Sequence, residues 1–158
     1  MAKQYYPKVN FCFRVHFPVS TGDNVDVGFQ SITGLDSTIE TENINEGGVN
    51  HFTHAVPVRR KYGPLVLKRG LLSQGSPLTG YIKGCFDNET IAPMQTVLIE
   101  LLDETNQPML NWTASNVWPL SWKVGELNAM QGEVLIETLE LNYNQLIFTA
   151  PPLPPPQK

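Results

Sequence analysis

Apolar residues recur with a period of two along most of this chain. Val9, Phe11, Phe13, Val15 and Phe17 alternate with Asn10, Cys12, Arg14 and His16. That pattern predicts a strand over 9–17 with one buried face, ended by Pro18. Thr21-Gly22-Asp23-Asn24 reads as a turn. Val25, Val27 and Phe29 alternate again into Gln30-Ser31-Ile32, and Thr33-Gly34 breaks the run. Leu65, Val66 and Leu67 predict a short strand, and further strands are predicted over 95–103, 109–113, 117–124 and 133–143. In the last of these, Leu135, Leu139, Leu141 and Tyr143 share one parity while Val134, Ile136 and Thr138 hold the other. Apolar residues on both parities predict a central strand covered on both faces. The best helix signal lies over 77–87. Ser76 is its expected N-cap and Pro77 its first residue, and Leu78, Tyr81, Ile82 and Cys85 follow at helical spacing. Gly80 and Gly84 each weaken a helix by about 1 kcal/mol relative to alanine, so packing has to hold this one.

Three segments do not fit a buried pattern. Residues 36–44 are rich in β-branched side chains but have little apolar face. A strand polar on both sides either lines a water-filled channel or forms an ordinary exposed edge. Glu40, Glu42 and Glu46 would make such a surface acidic. Residues 46–61 show little periodicity and read as a long arm that reaches a neighbour, since long patternless connections are usually functional or disordered. The tail from 150 to 158 is dominated by proline. It reads as an extended spacer, a ligand for an aromatic groove or a disordered end.

Length and charge narrow the classes. The chain has 158 residues, enough for one domain that buries about 70% of its unfolded surface without covalent staples. Cys12 and Cys85 could pair, but two thiols in a reducing compartment is the simpler expectation. The N-terminus lacks the apolar core of a signal peptide, and no apolar run approaches a bilayer span. Direct membrane insertion is therefore not expected. A net charge of −4 and a pI near 5.3 argue against stable nucleic-acid binding. Arg59, Arg60, Lys61, Lys68 and Arg69 are the local exception. They serve either as a contact for an acidic partner or as a solvated loop face.

Catalytic chemistry finds no support. His51 and His54 lie at H-x-x-H spacing, but the third histidine is His16 and no further ligand stands nearby. Asp103-Glu104 is a turn pair with no cleft to separate two pKa values. Ser31, Ser37 and Ser73 lack a nucleophile elbow, and Gly47-Gly48 is too short to cradle a phosphate. No cofactor, metal or catalytic residue is expected, and the chain does not read as an enzyme. Trp112, Trp118 and Trp122 have even separations, which place them on one face of a strand unless Pro119 shifts the phase. They are candidates for core or subunit interface, as are Lys68 and Arg69.

From Phe29 to Tyr143 the chain resembles the inner tail-tube proteins of contractile phages and of phage-tail-like contractile injection systems. The resemblance is carried in order by Ile32-Thr33-Gly34-Leu35, Glu46-Gly47-Gly48-Val49-Asn50 and Leu65-Val66-Leu67-Lys68-Arg69-Gly70. Leu102-Asp103-Glu104 with Pro108 and Trp112, Asn116 with Trp118 and Pro119, Leu127-Asn128-Ala129 and the strand from Glu133 to Leu141 follow. It implies a mainly β fold, a two-sheet sandwich or barrel with one flanking helix, similar to type VI secretion tube proteins. It implies one tail-tube domain over 1–149, with an inter-subunit arm over about 46–62 and a helix over about 77–87, followed by the proline-rich tail 150–158. The implied partners are further copies forming hexamers that stack into a tube, the sheath, the baseplate, and DNA or protein cargo in the lumen. Assembly in the bacterial cytoplasm and incorporation into a virion tail or injection particle are implied as well. By the same resemblance Gly47, Gly48, Asn50, Arg59, Arg60 and Lys61 would belong to the arm, and Thr38, Glu40 and Glu42 would face the channel. The arm's cations would meet carboxylates such as Glu40 or Asp103 on a neighbour. The family commonly carries Leu-Pro-Gly where this chain has Val56-Pro57-Val58, and tryptophan near Tyr81. These departures and the proline tail point to a tube-initiator subunit at the baseplate as the alternative. A monomeric β-sandwich binding module is a more remote one.

Overall fold

A computed structural model describes residues 12–19, 28–44, 54–71, 76–88, 91–130 and 132–150. The elements in chain order are β1 (Phe13–His16), β2 (Ser31–Thr33), β3 (Ser37–Ile44), β4 (His54–Tyr62), β5 (Leu65–Gly70), α1 (Pro77–Asp87), β6 (Met94–Leu102), β7 (Pro108–Val124), β8 (Ile136–Asn142) and β9 (Gln145–Thr149). Alternation explains the buried strands directly. Leu65, Leu67 and Arg69 are buried on β5, and Glu137, Leu139 and Leu141 on β8. Pairing is antiparallel throughout, in a seven-stranded sheet ordered β1-β6-β7-β8-β5-β2 with β9 also on β7, and a separate two-stranded ribbon, β3-β4.

The large sheet turns about β7. Its first part pairs with β6 and β9, and its second part pairs with β8. The 109–113 and 117–124 segments are thus one strand, not two. Asn116 takes a positive φ of 52° at the junction, a left-handed conformation that asparagine tolerates better than most residues. Buried parity changes there, from Ala114 to Val117. A second irregularity between Pro119 and Ser121 shifts it again. Residues from both parts, among them Val15, Val97 and Ile99 on one side and Leu65, Leu67 and Leu141 on the other, meet in one core. The architecture is therefore mainly β, two packed sheet layers with one helix.

The helix spans Pro77–Asp87 and buries Leu78, Ile82 and Cys85. The Ser76 hydroxyl accepts from the Thr79 backbone N–H at 3.1 Å, the bond that an N-cap supplies. Cys12 and Cys85 are free thiols.

Three differences from the sequence reading have physical causes. Residues 54–62 are strand, not patternless arm. The ladder with β3 leaves both faces in water, so no apolar alternation marks it. β8 begins at Ile136 and fully buries one face only; Ile136 and Thr138 on the other face are half-buried, and Val134 lies 75% exposed in the preceding loop. β9 was not expected as a strand of its own. It extends the partner of β7 past Asn144, whose N–H donates to the Ser115 carbonyl at 3.0 Å. Residues 9–11 of the first predicted strand, the 21–24 turn and residues 151–158 of the tail lie outside the described residues.

Candidate functional site

The β3-β4 ribbon stands apart from the core. All but Glu40 and Tyr62 of its residues are exposed, yet its ladder is continuous from Ser37↔Tyr62 to Ile44↔His54. Its base is well anchored. Tyr62 packs on Tyr143 with ring centroids 5.5 Å apart. The Tyr143 hydroxyl donates to the Gly34 carbonyl at 3.1 Å. Burial, then the Asp36 and Tyr62 charges, push that phenol up to about 12. Gly34 has φ +88°, and a Cβ there would lie 2.0 Å from the Pro64 carbonyl oxygen. Only glycine lets β2 turn into the ribbon this close to the start of β5.

The register assigns the ribbon's faces. Thr38 stands opposite Lys61, Glu40 opposite Arg59 and Glu42 opposite Val56. Cross-strand partners share a face, so Thr38, Glu40, Glu42, Arg59 and Lys61 lie together. Arg60, opposite Ile39, lies on the other face. The three cations therefore do not form one patch. Val58 is skipped in the register between Glu40 and Thr41, a bulge beside Pro57, where a residue without an N–H is tolerated.

Arg59 Nε donates to Glu40 Oε2 at 2.5 Å, and Lys61 Nζ stands 3.8 Å from Oε1. The Arg59 guanidinium holds the Glu40 carboxyl below its ordinary range, and the carboxylate raises the guanidinium in turn. At Glu40 the expected acidic surface is thus neutralised across strands. Glu40 meets Arg59 and Lys61 within the chain. Asp103 is engaged at home too. Its Oδ1 accepts from the Thr105 N–H at 2.8 Å, the Thr105 hydroxyl at 2.7 Å and the Gln107 N–H at 2.9 Å. Gly47, Gly48, Asn50 and His51 lie outside the described residues.

The two cations of the β5 motif diverge, as strand alternation requires. Lys68 is exposed. Arg69 is 5% exposed and pairs through Nε with Glu137, itself 4% exposed. Its Nη2 lies 3.4 Å from the Ser76 hydroxyl and 3.3 Å from that of Thr79. The guanidinium stacks 5.3 Å from the Phe29 ring centroid. The Trp122 indole N–H donates to the other Glu137 oxygen at 3.0 Å. One arginine thus ties β5, β7, β8 and the helix cap together. Glu137 was invisible as a site, because a single acidic residue in an apolar strand carries no periodic signal.

The three tryptophans do not share a face. Trp112 and Trp122 pack against the core, and Trp112 lies 5.3 Å from the Phe148 ring. Trp118 is half-buried between Val117 and Pro119, which both point inward, so it faces away from the core. The phase shifts in β7 are the reason. Glu100, absent from the sequence candidates, is 7% exposed and accepts from Arg14 at 2.6 Å and from His16 at 2.9 Å. Burial opposes its charge, but the Arg14 and His16 hydrogen bonds together prevail and hold its pKa below the ordinary value.

These features describe surfaces and anchors. Among the described residues no three His, Cys, Asp or Glu side chains gather as a metal site, and no helix is long and apolar enough to cross a membrane. β1, β2 and β9 each pair on one side only among the described residues, which leaves sheet edges able to accept another strand.

Comparison with known proteins agrees with this picture. The family model for T4-like virus tail tube protein gp19 matches residues 9–147. A chain of the six-fold symmetrised anti-feeding prophage (AFP) baseplate is 33% identical, with a TM-score of 0.81 over 93% of this chain and 98% of that one. A chain of the extended sheath-tube complex of the PVC extracellular contractile injection system is 21% identical, with a TM-score of 0.76 over 92% and 93%. A type six secretion system protein shares the fold at 9% identity, with a TM-score of 0.60 over 86% and 81%. No curated protein matches the chain. With its whole folded body matched and its features concentrated on edges and an exposed ribbon, the chain belongs to the T4-like tail tube family, as a structural tail tube protein of contractile injection systems and not an enzyme.

Proposed function

We propose that this chain assembles into hexameric rings that stack as an inner tube with a central channel, inside a contractile sheath, for delivery of DNA or protein cargo. The observation that carries this reading is the β3-β4 ribbon. A two-stranded sheet is marginally stable alone in water. This one leaves Ile39, Ile44, Val56 and Val58 exposed by 61, 50, 41 and 57%. Such a ribbon gains stability when another subunit covers it, which is the role assigned to the inter-subunit arm. The part of one ribbon face formed by Thr38, Glu40, Arg59 and Lys61 is hydrophilic and charge-compensated, which suits a wet channel wall to which phosphates bind poorly, while Glu42 stands beside Val56 further along the ribbon. Strong phosphate binding needs uncompensated cations. Lys68 and Trp118, on outward faces, are the surface candidates for contacts with sheath or neighbouring subunits.

Mass measurement and negative-stain microscopy test the proposal. Rings or tubes are expected, alone or with sheath and baseplate proteins present. A persistent monomer under all these conditions would overturn it. Replacing Arg59, Arg60 and Lys61 together by Ala is expected to weaken assembly without unfolding the monomer. Assembly unchanged across a salt titration would remove the electrostatic role.

A second reading has its own support. The AFP relative at 33% identity belongs to a baseplate, which favours a baseplate-proximal ring that initiates the tube. That reading expects purified rings that do not elongate by themselves but nucleate tubes of a second tube protein. The subunit would be made in the bacterial cytoplasm and incorporated into a phage tail or an extracellular injection particle.

A further inference from the structure

We infer that the groove in the β7-β8 loop receives the β3-β4 ribbon of a second copy, so that copies join head to tail. The inference rests on the tube reading and names the surfaces that would meet. The loop forms a groove of about 340 Å³ lined by Gly125, Glu126, Leu127, Asn128 and residues 133–136. Leu127, Met130 and Val134 around it are 81, 93 and 75% exposed. Three large apolar side chains this exposed in one loop are a candidate contact surface. Glu126 and Glu133 are its charges, and no cation lies in the loop sequence from 125 to 136.

The ribbon is the complement. It presents Ile39 opposite Arg60, with Val58 exposed at the bulge nearby, and Arg60 has no salt-bridge partner among the described residues. Apolar side chains framed by a cation thus match apolar side chains framed by carboxylates, the arrangement that gives an interface its register.

The two surfaces do not cover each other within one chain, since both are exposed. The ribbon's base, Tyr62, precedes the Leu65 end of β5. The loop borders the opposite end, where a Cβ on Gly70 would stand 3.3 Å from Val134 and the Leu71 N–H donates to the Leu135 carbonyl at 2.8 Å. β5 has six residues, so these ends are about 17 Å apart. Two different surfaces at opposite ends form a heterologous contact, which propagates from copy to copy.

Charge reversal tests the pairing. R60E places a glutamate on both surfaces, and the double variant E126K/E133K places cations on both. Each variant alone is expected to reduce the assembled fraction about tenfold or more, measured by sedimentation and negative stain of the full chain expressed with its sheath and baseplate proteins. Circular dichroism and thermal melting should show both variants folded. An equimolar mixture should assemble again, because each ribbon then finds a loop of opposite charge. The combined variant R60E/E126K/E133K should assemble as well. Normal assembly by either single-surface variant, or a mixture no better than its components, overturns the inference while leaving the tube reading in place. If the variants form normal tubes but lose sheath attachment, the groove belongs to the sheath and the inference falls. If the unaltered chain forms no rings or tubes with its partners, the tube reading itself fails and takes the inference with it.

Discussion

Arg69→Met should be among the most destabilising single changes outside the apolar core. It leaves the Glu137 carboxylate 4% exposed and without its cation. Breaking a buried pair from one side costs about 3–5 kcal/mol, because the remaining charge stays desolvated. Glu137 would keep the Trp122 indole N–H at 3.0 Å, and hydrogen bonds to charged groups contribute about 1.5–3 kcal/mol. The lower part of the range, about 3 kcal/mol, is therefore expected. The Ser76 and Thr79 hydroxyls at 3.4 and 3.3 Å add little, being long contacts. Urea denaturation followed by circular dichroism reads the effect as a midpoint lowered by about 1.5 M at a slope near 2 kcal/mol/M. Glu137→Gln should cost a similar amount by stranding the guanidinium, while its amide oxygen still accepts from Trp122. The double variant R69M/E137Q holds no buried charge, so its loss should fall well below the sum of the two. An Arg69→Met loss under about 1 kcal/mol, or strict additivity in the cycle, would refute the claim that this pair is a coupled buried node.

Three further outcomes follow from the same geometry. Gly34→Ala should destabilise by at least about 1–3 kcal/mol from its positive φ alone, with the Pro64 carbonyl contact adding to it; a thermal melt within a degree of the parent would contradict the tight turn. Leu67→Ala should cost about 2–5 kcal/mol, and Trp118→Ala clearly less, since Leu67 is 1% exposed and Trp118 faces away from the core; equal losses in guanidinium titrations would place Trp118 inside after all. Glu100 has a lowered pKa in the folded chain, so its contribution is present above the unfolded value of about 4.3 and is lost as pH falls through the folded one. The stability gap between the parent and Glu100→Gln should accordingly close on acidification below that point; a gap independent of pH would exclude the ionic contribution.

Much of this fold could be read from local pattern. Val15 and Phe17, Leu65 and Leu67, and Leu139 and Leu141 alternate because one face of each strand must be dry, and the structure buries all of them. The helix was legible from Ser76 and Pro77, which mark a start chemically, and from Leu78, Ile82 and Cys85 at helical spacing. The family resemblance was legible from short motifs whose order survives divergence.

What failed was everything that depends on two distant segments meeting. β4 escaped notice because its partner β3 is as exposed as it is, and a ladder held by backbone hydrogen bonds in water leaves no hydrophobic trace. The tryptophan faces stayed open in the sequence because the shifts near Asn116 and Pro119, which reverse parity within one strand, leave no local mark that fixes their size. Arg69 and Glu137 are 68 positions apart, so neither announces the other. Sequence by itself determined which stretches are strands with a dry face, where the helix begins, and that no catalytic constellation is spelled out. Tertiary structure alone decided which charges are buried together, which carboxylates are already neutralised within the chain and which surfaces stay bare, because charge pairing and exposure depend on distances through space that a period of two along the chain does not encode.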